Sequence, residues 1–240
     1  MTQQTHAAPP ASKREAIVEA LMRLASDRPW SDIEVGDIAR EAGVTLSEFR
    51  DFFPSKGAVL GAFSRMIDKQ VLEGTTEDLA DEPPKERVFD VMMRRFDALT
   101  PYKAALRRIS FALRSDPLSL AALNQVGLNS QRFMLAAAGI STEGPLGNLK
   151  IQGAVLVFAR TMETWLEDDD PTLARTMARL DRELRNGERV LERADDLRRL
   201  TTPLRVLGQA LFDAGRRRRS GRRRPERYDD GDMSDPAAAI

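Results

Sequence analysis

Cysteine is absent from all 240 residues, which excludes disulfides, thiolate nucleophiles and sulfur-ligated metals. Histidine occurs once, as His6, in a stretch of alanine and proline near the N-terminus. A histidine-based catalytic triad and a metal site with two imidazoles are therefore excluded too. Aromatic residues amount to only 6%. No stretch approaches the roughly 18 consecutive apolar residues of a membrane-spanning helix, and the N-terminus lacks the apolar run of a secretory signal. A soluble, cytoplasmic protein is the expectation. An excess of charge is also missing, since 37 basic residues balance 37 acidic ones. A nucleic-acid-binding protein usually carries a basic footprint, and here the basic residues crowd into Arg216 to Arg219 and Arg222 to Arg224.

What is present favours helices. Alanine, leucine and arginine dominate, and an apolar fraction of 42% is enough for a substantial core. Residues 1–11 read as a disordered arm. Ser12 and Glu15 then stand in the S-x-x-E spacing of a capping box, followed by an apolar stripe of Ile17, Val18, Leu21, Leu24 and Ala25. Pro29 stops this helix. Ser31 with Glu34 reads as a second box, opening a short helix that ends at Gly43. Thr45 with Glu48 reads as a third, opening a helix with Phe49, Phe52 and Phe53. A longer helix follows Pro54-Ser55. The acidic segment from Gly74 to Pro84 is the expected domain boundary.

Beyond it, helices are expected near 85–98, 101–115, 117–138 and 146–168. Thr100-Pro101 and Asp116-Pro117 each read as a cap residue before a proline at the first helical position. Asp170-Pro171 is expected to open a further helix running past Gly187 to about Leu200. Pro203 should begin a short amphipathic helix with Leu204, Leu207, Leu211 and Phe212. The domains are thus expected at 12–73 and 84–213, with a disordered tail over 214–240 that is rich in arginine and then acidic.

The short helix, the turn at Gly43 and the next short helix have the arithmetic of a helix-turn-helix. Ala39 is small where the two helices cross, and Val44 and Phe49 can seal the pair against the first helix. On these residues the sequence resembles the TetR family of transcriptional regulators. The run Asp37-Ile38-Ala39-Arg40-Glu41-Ala42-Gly43-Val44, then Phe52-Phe53-Pro54-Ser55-Lys56, carries the resemblance, which is detailed over residues 13–65. It implies an all-α, TetR-like fold: a three-helix helix-turn-helix module plus a larger C-terminal helical bundle.

By the same resemblance the third helix would enter the major groove and Lys56 would meet the DNA backbone. The DNA-contacting residues implied are Thr45, Leu46, Ser47, Arg50 and Lys56. Family members commonly carry an aromatic residue at the position of Arg50 and a hydroxyl residue at that of Glu34. Glu48 and Asp51 add negative charge to the third helix, and residues 13–69 hold nine basic and ten acidic side chains. Arg50 can replace a tyrosine as a phosphate or guanine contact.

The larger domain would bind a small ligand and dimerise. Its apolar character suggests a hydrophobic ligand or lipid, with Phe111, Met134, Phe158, Met162 and Trp165 as candidate contacts, although most apolar residues there serve simple packing. A second resemblance runs through Trp165-Leu166-Glu167-Asp168-Asp169-Asp170-Pro171, Thr176 and Leu180-Asp181-Arg182. It is similar to the lipid-binding accessory proteins of ubiquinone biosynthesis, which share the fold without acting as repressors. Under that alternative, residues 203–224 would form a basic amphipathic contact with a membrane surface. No phosphate loop, metal cluster or nucleophile–base spacing is present, so neither an enzyme nor a cofactor is expected. The leading expectation is a homodimeric, ligand-controlled regulator bound to a double-stranded DNA operator.

Overall fold

A computed structural model describes residues 12–74, 81–114 and 117–196, with the side chains of 117–119 left aside. The described residues form nine α-helices and no strand. They are α1 (Lys13–Asp27), α2 (Val35–Glu41), α3 (Leu46–Phe52), α4 (Lys56–Glu73), α5 (Pro84–Leu99), α6 (Lys103–Leu113), α7 (Pro117–Ala137) and α8 (Gly147–Glu167). The ninth, α9, spans 174–196. Residues up to Glu192 make one compact unit. Of a second unit, which begins at Arg193, only 193–196 are described, and they are helical. The amphipathic segment and arginine block expected over 203–224 lie outside the described residues, as do the arm at 1–11 and the tail from 214.

Local chemistry explains where the helices start. Ser12 caps α1 by accepting the Glu15 N–H, and the Glu15 carboxylate accepts the Ser12 N–H at 3.0 Å. Thr45 and Glu48 repeat this box on α3, while Ser55 caps α4 through the Ala58 N–H at 3.2 Å. The box expected at Ser31 and Glu34 is corrected. Ser31 lies inside a 3₁₀ turn, Trp30–Asp32, with its hydroxyl on the Asp32 carboxylate. Glu34 is itself the cap residue of α2, and Asp37 accepts the Glu34 N–H at 3.2 Å. An acidic pair three residues apart does the same work as Ser with Glu, three residues later in the chain.

Two further caps differ from expectation. Thr100 is helical and donates its hydroxyl to the Phe96 carbonyl, so α5 runs through a 3₁₀ turn (Thr100–Tyr102) into α6 without an extended cap residue. Pro171 does not start α9. Asp170 accepts both the Thr172 N–H and hydroxyl in a tight turn, Leu173 takes φ +52°, and α9 begins at 174. Its first turn is capped from further back, by Asp168, whose Oδ2 accepts the Thr176 N–H at 2.9 Å and hydroxyl at 2.7 Å.

The chain boundary expected between 73 and 84 falls between α4 and α5, but it does not separate two cores. Ile17, Leu21, Ile38, Phe49, Phe63, Ile67, Phe96, Ile109 and Trp165 belong to one continuous apolar cluster. α1 packs on α2, α4 and α6, and α4 packs on α5 and α7. A buried ion pair sits among these helices. Arg95 on α5 pairs with Asp68 on α4, and it also donates to Ser64 at 3.2 Å. Ser130 on α7 donates to Asp68 at 2.8 Å, while the Arg95 guanidinium lies 5.2 Å from the Phe158 ring centroid of α8. Both charges are almost fully buried, and the network joins four helices, with Arg95 Nε left without a hydrogen-bond partner among the described residues. Among the described residues no helix is long and apolar enough to cross a membrane.

Candidate functional site

The helix-turn-helix is built around one glycine and two phenylalanines. Gly43 takes φ +67°, a left-handed conformation that lets the chain leave α2, and the Val44 N–H closes the turn on the Ala39 carbonyl at 2.9 Å. Phe49 and Phe53 are buried, with ring centroids 6.1 Å apart, and the Arg14 guanidinium of α1 covers Phe53 at 4.7 Å. Anchored this way, α3 turns Leu46, Ser47 and Arg50 outward, and Leu46 is 61% exposed. Thr45 is exposed at the start of the same face, although its hydroxyl also serves the cap.

Three acidic residues of the module are engaged by neighbouring cations, while Asp51 on α3 stands exposed beside Arg50. Glu48 accepts hydrogen bonds from the Lys13 ammonium and from the Thr45 N–H and hydroxyl. The Lys13 hydrogen bond first, then that of the Thr45 backbone, holds its carboxyl down at about 2. Asp37 pairs with Arg28 and Arg40 at 3.1 Å each, and Glu41 pairs with Arg23 at 2.9 Å. The Glu34 backbone bond is the main reason that Asp37 stays below the usual carboxylate range. Such exposed pairs contribute little stability, but they decide where the charge points. Arg50 pairs with no carboxylate among the described residues. Its one protein bond is a long one, 3.4 Å to the Pro54 carbonyl.

Lys56 is corrected. Its ammonium donates to the Trp30 and Ile33 carbonyls at 2.6 and 2.8 Å and lies 4.2 Å over the Trp30 ring. Burial pushes its pKa down. Two of its three donors are therefore taken, and the side chain ties the first turn of α4 to the segment leading into α2. It braces the module from within, whereas Arg50 stands exposed.

The expected ligand contacts divide. Met134 and Trp165 are buried in the main core, and Phe158 and Met162 pack against it. Phe158 stacks on Phe96 at 4.9 Å, with Trp165 at 5.5 Å from the same ring. Phe111 does not join them and is 80% exposed, because it lies on the outer side of the amphipathic α6. Trp165 borders a cavity of about 370 Å³ beside the α5–α6 corner. The other polar residues there, Asp97 and Lys103, gave no signal in the sequence, and the run Asp168 to Asp170 reads simply as a helix end.

Comparison with solved structures settles the architecture. A TetR transcriptional regulator from Nitrosomonas europaea superposes with a TM-score of 0.59 at 21% identity, over 73% of this chain and 97% of that one. A second, from Rhodococcus sp. RHA1, gives 0.55 at 21% identity, over 73% and 95%. The fold is that of the TetR-type regulators. No protein-family model matches the chain. In sequence, an 80-residue stretch is 38% identical to the HTH-type transcriptional regulator EthR of Mycobacterium tuberculosis and of Mycobacterium bovis. That stretch is 32% of this chain, and it spans only 36% of the length of those relatives. Within the TetR-type fold, α2 and α3 are the helix-turn-helix and α5 to α9 the larger helical part.

Proposed function

We propose that the chain is a DNA-binding transcriptional regulator that works in the cytoplasm as a homodimer and answers to a small ligand. The observation that carries this reading is the division of labour on α3. Its core face holds Phe49, its one cap-bound carboxylate turns to Lys13, and its outer face offers Ser47, Leu46 and an Arg50 without an acidic partner. An α3 laid in the major groove would bring Arg50 to a guanine edge or a phosphate and Leu46 to a thymine methyl. The first turn of α4 follows directly, and its N–H groups suit a phosphate.

The exposed side of the larger part supports a twofold partner. Leu149 and Leu156 on α8 are 38% and 50% exposed, seven residues apart on one face. Between them a Cβ at Gly153 would meet nothing within 4 Å, so another helix can approach closely. Control by a ligand has a physical route in α6. One flank of it and the turn before it hold α1, through Arg108 on the Ser26 carbonyl at 3.0 Å and Tyr102 on Glu19 at 2.7 Å. The other flank holds the α8–α9 turn, through Lys103 on the Asp168 carbonyl and Arg107 on the Leu166 carbonyl. A ligand that prefers one placement of that turn shifts α1 with it, since only differential affinity moves such an equilibrium.

Selection of genomic fragments by the purified protein at about 0.15 M salt tests the reading. A short palindrome with two half-sites is the expected result, and Arg50→Ala should lose about 1–3 kcal/mol of affinity for it. A protein that is folded yet enriches no sequence would remove the proposal.

A further inference from the structure

The charge on α3 is the wrong one for a helix that meets DNA. Leu46–Phe52 carries Glu48, Asp51 and a single cation, Arg50, and so is net negative. Glu48 follows Ser47 directly and stands two residues before Arg50, and its side chain is 36% exposed. Binding to a phosphate backbone depends on cations that displace counterions. An uncompensated carboxylate at this point opposes it.

The compensation comes from α1. Lys13 Nζ lies 2.5 Å from Glu48 Oε1, across 35 residues of chain. The pairs Arg23–Glu41, Arg28–Asp37 and Arg40–Asp37 all have their carboxylate on α2, so among the described residues Lys13–Glu48 is the ion pair that reaches α3. Lys13 is the first residue of α1, whose start is fixed by the Ser12–Glu15 box. Arg14 beside it lays its guanidinium 4.7 Å from the ring centroid of Phe53, the residue that closes the far end of α3. The first turn of α1 therefore touches α3 at both ends. A pair as exposed as Lys13–Glu48 adds little stability, and its effect lies in the charge that α3 presents.

We propose that Lys13 is a positioning residue of the DNA-binding surface that acts through Glu48, holding and neutralising that carboxylate so that α3 can approach phosphate, without supplying the phosphate contact itself. The role deepens the regulator inferred above and rests on that reading. Glu48 also serves the cap of α3, by accepting the Thr45 N–H at 2.9 Å, so Lys13 offsets the charge that this cap brings to the reading helix. The surface that governs affinity thereby extends to the start of α1, outside the helix-turn-helix.

The experiment measures the affinity of the full chain for a duplex carrying the enriched palindrome, by fluorescence anisotropy at about 0.15 M salt. Lys13→Met should weaken binding about fivefold to twentyfold, while Lys13→Arg should stay within about twofold of wild type. Glutamine can still accept the Thr45 N–H, so Glu48→Gln keeps the cap and should bind at least as tightly as wild type. In that background Lys13→Met should cost no more than about twofold. An equal cost in both backgrounds would show that Lys13 meets phosphate directly, and an unchanged affinity for Lys13→Met would show that the pair is idle. Either result, with wild type still bound to the palindrome, overturns this role alone. A wild-type chain that enriches no palindrome removes the regulator and this role together.

Discussion

Glu48 stands on α3 where a negative charge would repel a phosphate backbone, yet its carboxylate is bound on the side of α1. That geometry has a pH signature. The Lys13 hydrogen bond, with that of Thr45, takes Glu48 from an ordinary 4.5 to about 2. The folded-state value is the lower one, so the stabilisation is complete above about 4.5 and is lost as pH falls toward 2. Glu48→Gln should therefore flatten the acid side of a Tm-against-pH curve in that window, and an acid side that superimposes on wild type would refute the assignment. Lys56 makes a different demand. Lys56→Met should lower stability by about 1–3 kcal/mol, because the Trp30 and Ile33 carbonyls lose their donor. An unchanged chemical-denaturation midpoint would show that these bonds are dispensable. The sequence shows a lysine at the start of α4. It cannot show that carbonyls 26 and 23 residues upstream converge on it, so the resemblance to known regulators pointed outward where the fold turns the side chain in.

Helices were legible from the sequence because their signals are local. Caps, prolines at first turns and apolar stripes placed all nine within a few residues of where they stand. Caps that depend on distant or indirect partners were not legible. Asp168 caps α9 from outside the turn, and Glu34 with Asp37 replaced a serine box that looked equally good on paper. The Asp68–Arg95 pair was invisible for the same reason, since α4 and α5 meet only in the folded chain. Arg95→Met should cost about 3–5 kcal/mol, as it strands a buried carboxylate. Asp68→Asn combined with Arg95→Met should cost much less than the sum of the two single changes. Additive losses in urea denaturation would mean that the two charges do not act as a unit.

At the scale of the molecule, the TetR-type layout was readable from the order of helices, while the shared core was not. An acidic, proline-containing stretch between 74 and 84 looks like a hinge between independent bodies. The packing of α1 on α6 and of α4 on α7 joins them instead. The twofold partner is testable at this level. Leu156→Arg should convert a dimer to a monomer in sedimentation with little change in helicity, and a dimer that survives the charge would place the interface elsewhere.

The common core also bears on how such a protein can be taken apart or recombined. Cut after residue 74, the reading head would present Leu60, Phe63, Ile67 and Val71, now buried, to water. It would aggregate or melt instead of binding DNA weakly. Transplanting it onto another sensor would fail unless α5 and α6 travelled too. Inheritance by cassette is therefore closed to this chain. Under the proposed function, new DNA specificities would arise by substitution on the outer face of α3 and new ligand sensitivities by substitution in the larger helical part, each within one cooperative whole.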